Sequence, residues 1–225
     1  MCGRFALYAD YEALLERFDV EEAALEQELY EKNYNVAPSQ QIAAVINDGK
    51  RNRLGTFRWG LIPSWAKDQK IGYKMINARG ETAADKPSFR TAFKKKRCLI
   101  PATAFYEWKK AEGGKTPMLI HLESDELFAF AGLWESWEAP NGDVVHSCTI
   151  LTTQPNALMA GIHDRMPVIL SKGDERVWLD PNIQDPELLN ALIKPYQAEE
   201  LEAYEVSDAV NSPKNNGQEL IRKIG

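Results

Sequence analysis

Between Gln41 and Thr153 the chain reads as a succession of short β-like runs, and only a fold that pairs many strands can use them. The runs are "QIAAVIN", "RLGTFRWGLIP", "RCLIPATAFYEWKK", "PMLIHLES", "LFAFAGLWESW" and "HSCTILTT". Each is rich in β-branched and aromatic residues, and several are joined by glycine-containing turns such as "EGGKTP" and "APNGDV". In "NVAPSQ", Pro38 favours an extended Ala37. Helical spacing lies outside these runs. Residues 10–31 carry Leu14, Leu15, Phe18, Leu25 and Leu29 among acidic positions, which predicts one or two peripheral amphipathic helices with Asp10 as a cap. Further helices are predicted at "KPSFRTAFKK", "NALMAGIH", "KGDERVWLD" and "DPELLNALIK", the last opening on Asp-Pro. No repeat, low-complexity tract or long linker divides the chain. The pattern is that of a single α+β domain over residues 1–225, dominated by strands.

A chain of 225 residues with 44% hydrophobic and 27% charged residues can bury a substantial core. No apolar run reaches the length of a membrane span, and the start "MCGRFALYADYEALLERF" lacks the regions of a signal peptide, so a cytoplasmic protein is expected. The three cysteines form no CxxC pair and only three histidines accompany them, which argues against a disulfide framework and against a metal site. No cofactor-binding fingerprint such as GxGxxG or a Walker motif occurs. The net charge of −6 hides an uneven distribution. Residues 51–117 hold 16 Lys+Arg against 5 Asp+Glu, whereas both flanks are acidic. The run "KKKR" at Lys94 to Arg97 reads equally well as a solvated lysine-rich face. The arginines placed near Trp59, Trp65 and Trp108 instead suit a groove for single-stranded nucleic acid, with cations tracking phosphates and rings stacking on bases.

Five residues carry candidate chemistry. Cys2 directly follows the initiator methionine, whose removal would expose a 1,2-aminothiol. Its amine (ordinarily near ~8) and thiol (near ~8.5) together capture an aldehyde: the amine forms an imine, the sulfur adds to it and a thiazolidine closes. The plainer reading of any lone cysteine is a small buried hydrophobe, and that is the reading for Cys98 and Cys148 in their apolar runs. Glu107 stands between Tyr106 and Trp108; in a strand it shares a face with Phe105, where partial desolvation would raise its pKa and suit it to move protons. His163, in "GIHDRMPVIL", lies at an element junction of the kind that displays catalytic groups, while His121 and His146 fall in strand-like runs and read as structural. Asn77 and Arg79, in "MINARGETAA", are open to a turn-capping and an ion-pairing role, the latter with Glu81.

In that order "MCGRF", "YNVAP", "RWGLIPSW", "INARGETA", "FYEWKK", "IHDRMPVIL" and "NSPKNNGQELI" resemble the SRAP family of SOS-response-associated peptidases, or abasic-site processing proteins, from Cys2 to about Ile221. The resemblance implies mixed or antiparallel sheets in a barrel-like core with peripheral helices. It implies a monomer that acts on abasic sites in single-stranded DNA during the DNA damage response, nucleoid-associated when bound, with no cofactor and no membrane partner. Cys2, freed of Met1 by self-processing or by an aminopeptidase, would form a thiazolidine crosslink with the ring-opened sugar. Glu107 would serve as acid and base, His163 in proton transfer and reversal, and Asn77 in holding the terminus or the sugar. Arg4, Asn35, Trp65, Arg79, Trp108 and Arg165 would contact phosphates or stack beside the lesion. Lyase-type and autoproteolytic chemistry come with the same resemblance. Two other classes stay open: a thiol peptidase built on Cys2, and a non-catalytic reader of damaged or modified DNA in which Cys2 merely packs.

Overall fold

The strand-like runs pair into two sheets in the computed structural model, which describes residues 2–224. In chain order the strands are β1 (Phe5–Leu7), β2 (Val20–Ala23), β3 (Asn33–Val36), β4 (Gln41–Asn47), β5 (Asn52–Trp59), β6 (Asn77–Arg79), β7 (Arg97–Ala102) and β8 (Ala104–Ala111). They continue with β9 (Gly114–Leu122), β10 (Phe128–Glu138), β11 (Val144–Thr153), β12 (Met166–Pro167), β13 (Ile169–Leu170) and β14 (Leu201–Glu205). The α-helices are α1 (Tyr11–Arg17), α2 (Gly80–Ala83), α3 (Arg90–Lys95), α4 (Ala157–Ala160), α5 (Lys172–Leu179) and α6 (Pro186–Ala191). No helix among the described residues is long and apolar enough to cross a membrane.

Strands β5, β4, β7, β10 and β11 pair in that order, and β11 returns to β5 in parallel register through Ser147 opposite Arg58 and Cys148 opposite Trp59. The result is a closed five-stranded barrel, a form that leaves no barrel edge unpaired. Cys98 and Cys148 are both fully buried in its strands. The second sheet is antiparallel, in the order β14-β9-β8-β1-β3. The two sheets meet at aromatic rings: Phe5 packs edge-on against Trp59 and Phe130, with centroids 5.2 and 5.7 Å apart, and Phe105 lies 6.0 Å from Phe130. The strand-rich α+β expectation therefore holds, barrel included.

Local differences have identifiable causes. The single run "RCLIPATAFYEWKK" divides at Thr103 into β7 of the barrel and β8 of the second sheet. There the Thr103 N–H donates to the Ala6 carbonyl and its hydroxyl accepts from the Tyr8 N–H, so β1 captures the crossing point. Residues 10–31 give one α-helix, α1, and a single 3₁₀ turn at Gln27–Leu29. Asp19 takes a positive φ of 48° after α1, and "VEEA" then pairs in parallel with β5 as an edge strand. Leu29, read as part of an apolar stripe, is exposed. Asp10 occupies the N-cap position without a side-chain cap bond and pairs with Lys32 instead. In "KKKR", Arg97 is no surface group: it is buried and donates to the carbonyls of Phe93, Lys94, Trp178, Asp180 and Ile183, while Lys96 pairs with Glu135.

Between β5 and β6 the chain makes an excursion, residues 60–76, that closes on itself at a glycine neck. Gly60 has φ +126°, and a Cβ there would stand 2.6 Å from the Gly72 carbonyl oxygen. A Cβ on Gly72 would meet the Gly60 oxygen at the same distance. Gly60→Ala is accordingly expected to destabilise the protein by at least ~2 kcal/mol in urea unfolding. Gly114→Ala, where an added Cβ meets nothing within 4 Å, should change it by less than ~0.5 kcal/mol.

Candidate active site

Placement of the chain start follows from β1. It inserts between β8 and β3, with Phe5 opposite both Phe105 and Val36, and the Tyr106 N–H donates to the Arg4 carbonyl at 3.0 Å. With Phe5 anchored in the aromatic junction, Cys2 turns inward and has no solvent exposure. The Cys2 carbonyl accepts a 2.8 Å hydrogen bond from the Asn77 side-chain amide. Asn77 is held in turn by parallel pairing with Ile150 of β11, and the Trp59 indole N–H fixes the preceding Ile76 carbonyl at 2.9 Å.

Alternation along β8 places Phe105 and Glu107 on the barrel side and Tyr106 and Trp108 on the other, where Tyr106 joins a separate small apolar cluster. Glu107 is only 2% exposed. Burial raises its pKa above the ordinary carboxylate range, opposed in part by the positive charge of His163. The Cys2 thiol is likewise pushed up, first by burial and then by the negative charge of Glu107. Cys2, Glu107 and His163 thus form one electrostatically coupled group, with Asn77 gripping the backbone of the first.

His163 follows α4, and its N–H donates to the Met159 carbonyl at 2.8 Å. Its ring Nδ1 lies 3.1 Å from the Arg165 N–H and 2.8 Å from an Asp164 carboxylate oxygen. A neutral ring accepts from the amide and an imidazolium donates to Asp164, so Nδ1 has a partner in either protonation state.

The remaining sequence-predicted residues divide into surface and support. Arg4 donates through Nη1 to Asn35 Oδ1 (2.7 Å) and the Val210 carbonyl (2.6 Å), and its guanidinium lies 5.8 Å from the Trp108 ring centroid. Trp108 is half-buried and donates to Asn211 Oδ1. Asn35 is buried: its amide donates to the carbonyls of Val210, Ser212 and Asn215, which pins the late "NSPKNN" segment beside Arg4. Arg165 is also buried, in a bidentate pair with Glu81 (2.7 and 2.8 Å) and a 2.7 Å bond to the Thr152 carbonyl. Asn35 and Arg165 therefore reach the site through Arg4 and His163 and present their donors to the protein. The ion-pair expectation for Arg79 is corrected here: Glu81 belongs to Arg165, and that hydrogen bond holds its carboxyl below the usual range, while Arg79 is exposed at the end of β6. Trp65 is 58% exposed on the 60–76 excursion. Sequence reasoning missed the structural use of Glu81, Thr152 and Asn211. Arg165 and Glu81 are 84 residues apart, and no local signal marks such a pair. Among the described residues no group of three His, Cys, Asp or Glu side chains stands close enough to hold a metal ion.

The model of the SOS response associated peptidase (SRAP) family matches residues 1–213. The chain belongs to the SRAP family. It is 57% identical over 222 residues to the abasic site processing protein YoqW of Bacillus subtilis, covering 98% of this chain and 99% of that one. It is 33% identical to the abasic site processing protein HMCES of Xenopus tropicalis, over 87% of this chain and 67% of the relative. A crystal structure of a protein from Bacteroides thetaiotaomicron superposes on this SRAP chain with a TM-score of 0.90 at 27% identity, covering 99% of this chain and all of that one.

The burial of Glu107 in this SRAP site has a measurable cost. Because its folded pKa is raised, the native state binds the extra proton in the window between the ordinary carboxylate value and the raised one, so the wild-type protein loses stability as pH climbs through that window. Glu107→Gln removes the titration. Its melting temperature is expected to exceed that of the wild type at pH 7–8, and the gap should close as pH falls toward about 4, where Glu107 is neutral in both states.

Proposed function

We propose that this SRAP chain captures abasic sites in single-stranded DNA through a covalent thiazolidine at Cys2, formed after Met1 is removed. The observation that carries the reading is the pairing of a chain start fixed by Asn77 with a buried, proton-binding Glu107 beside it. The names of the relatives, abasic site processing proteins, supply the substrate class.

An abasic deoxyribose in its open form presents an aldehyde. The α-amine of a freed Cys2 attacks that carbon, and loss of the carbinolamine hydroxyl as water leaves an imine. The Cys2 sulfur then adds to the imine carbon, and its proton ends on the nitrogen. The net products are thiazolidine and one water. A carboxyl with a raised pKa suits both halves of this sequence: it protonates the departing oxygen and accepts the thiol proton afterward. That second role matters because burial keeps the sulfur as a neutral thiol until a base relieves it of its proton. His163 is the exchangeable positive charge across from Glu107 and returns the proton needed to reopen the ring. Arg4 and Arg79 supply positive charge, and Trp65 and Trp108 supply flat faces for neighbouring bases. Self-removal of Met1 would be a single internal event.

Incubation with an oligonucleotide carrying one abasic site should give a heat-stable shifted band on a denaturing gel. Cys2→Ala should abolish it, and so should a residue that cannot be cleared from in front of Cys2. Glu107→Gln should slow its appearance by about 10²-fold, the usual scale for a lost general acid–base. A Glu107→Gln rate equal to wild type would remove that residue from the mechanism, and no band with wild-type protein would overturn the proposal.

A further inference from the structure

His163 stands on a turn that is fixed from several sides. Asn156 caps α4 by accepting from the Met159 N–H, and the N–H groups of Ile162 and His163 both donate to the Met159 carbonyl. Beyond the turn, Met166 and Pro167 pair with Thr153 and Thr152 of β11. The Arg165 guanidinium is committed to Glu81 and to the Thr152 carbonyl, and it is spent there rather than on its neighbour Asp164. The Asp164 carboxylate is 89% exposed, and one of its oxygens lies 2.8 Å from His163 Nδ1.

Nδ1 of His163 therefore faces two partners that ask opposite things of it. The Arg165 N–H, at 3.1 Å, offers a proton, and a neutral ring that accepts it carries its own proton on Nε2. The Asp164 oxygen, at 2.8 Å, only accepts, and a neutral ring that donates to it keeps its proton on Nδ1 and leaves a lone pair at Nε2. The second contact is the shorter of the two and has an ionised acceptor, and such hydrogen bonds are roughly twice as strong as those between neutral groups. With Nδ1 engaged inside its own turn, proton exchange with another molecule falls to Nε2. An Nε2 that already holds the proton of a neutral ring cannot take one up, so the tautomer that Asp164 favours is the one able to work as acid and base.

We propose that Asp164 is a positioning residue for the proton transfers of His163: its carboxylate holds the ring with a proton on Nδ1 and so makes Nε2 the nitrogen that gives a proton to the closed thiazolidine and takes it back. The inference rests on the reading of His163 as the proton carrier of crosslink reversal. In that step the imidazolium, held at Nδ1 by Asp164, passes its Nε2 proton to the thiazolidine sulfur as the carbon–sulfur bond breaks. The electron pair of that bond stays on sulfur, and the lone pair of the ring nitrogen forms the carbon–nitrogen double bond of an iminium. The positive charge thereby moves from His163 to that nitrogen. His163 is left neutral with its proton on Nδ1, still facing the same carboxylate, and its ring need not turn before it takes the proton back.

Nitrogen-15 spectra of the full chain without DNA distinguish the two tautomers, and with three histidines in the sequence the signals of His163 are those lost in His163→Ala. In the neutral wild-type ring the proton is expected on Nδ1. Asp164→Ala leaves the Arg165 amide as the partner in the turn and should move the proton to Nε2, and Asp164→Glu should return it to Nδ1. The chemical readout is release of a labelled strand from the preformed crosslink, with excess unlabelled abasic oligonucleotide as a trap. Asp164→Ala is expected to slow release about tenfold, less than the roughly 10²-fold of a lost general acid because water partly replaces an exposed carboxylate, and Asp164→Glu should recover most of the rate. Crosslink formation, which Glu107 serves, should stay near the wild-type rate in both. A neutral wild-type ring with its proton on Nε2 overturns the proposal, and so does slow release from Asp164→Ala with the wild-type tautomer, the mark of a charge effect alone. Release from Asp164→Ala at the wild-type rate beside slow release from His163→Ala overturns the proposal and spares the role of His163. Absence of a wild-type crosslink, or wild-type release from His163→Ala, overturns the underlying reading and the proposal with it.

Discussion

The insertion of β1 between β8 and β3 is the constraint on which the site depends. The strand is three residues long, and alone it would hold nothing in place. It is fixed because Phe5 enters the aromatic junction with Trp59 and Phe130 while Thr103, at the crossing from barrel to second sheet, bonds both the Ala6 carbonyl and the Tyr8 N–H. Three residues upstream of Phe5, Cys2 has no freedom left and meets Asn77. The same junction fixes Phe105, and the pleat of β8 then aims Glu107 at the barrel side where Cys2 lies. One packing event thus brings Cys2 and Glu107, far apart in sequence, within electrostatic reach of each other.

Around that core the charges are graded by burial. Glu107 and Cys2 are interior and burial holds both toward their neutral forms, which is unfavourable for folding above the ordinary carboxylate range only in the case of Glu107. Arg165 is also withdrawn from water, but its bidentate pair with the exposed Glu81 offsets its charge, and its backbone N–H donates to His163 Nδ1. Outward from these, Arg4 is shared among Asn35, Val210 and Trp108, and Trp65 and Tyr73 of residues 60–76 are exposed.

Much of this was legible in the sequence because strand chemistry is local. The runs "QIAAVIN" and "HSCTILTT" match β4 and β11 nearly residue for residue, and simple alternation assigned Glu107 to the face of Phe105. Long-range decisions were not legible. Nothing in "RCLIPATAFYEWKK" tells that Thr103 hands the chain from one sheet to another, and nothing in "VEEA" tells that it pairs beside β5. Arg97 and Asn35 look like surface donors until the backbone carbonyls that surround them are assembled from distant segments.

The central claim is that the nitrogen and sulfur of Cys2 act as a pair on one aldehyde carbon. Mass analysis of the crosslinked species after protease and nuclease digestion tests it most directly. The account predicts a peptide that begins at Cys2, without Met1, heavier by the open sugar fragment less one water, and with a sulfur that no longer reacts with iodoacetamide. An adduct on any lysine, a retained Met1, or a Cys2 thiol still open to alkylation would contradict it.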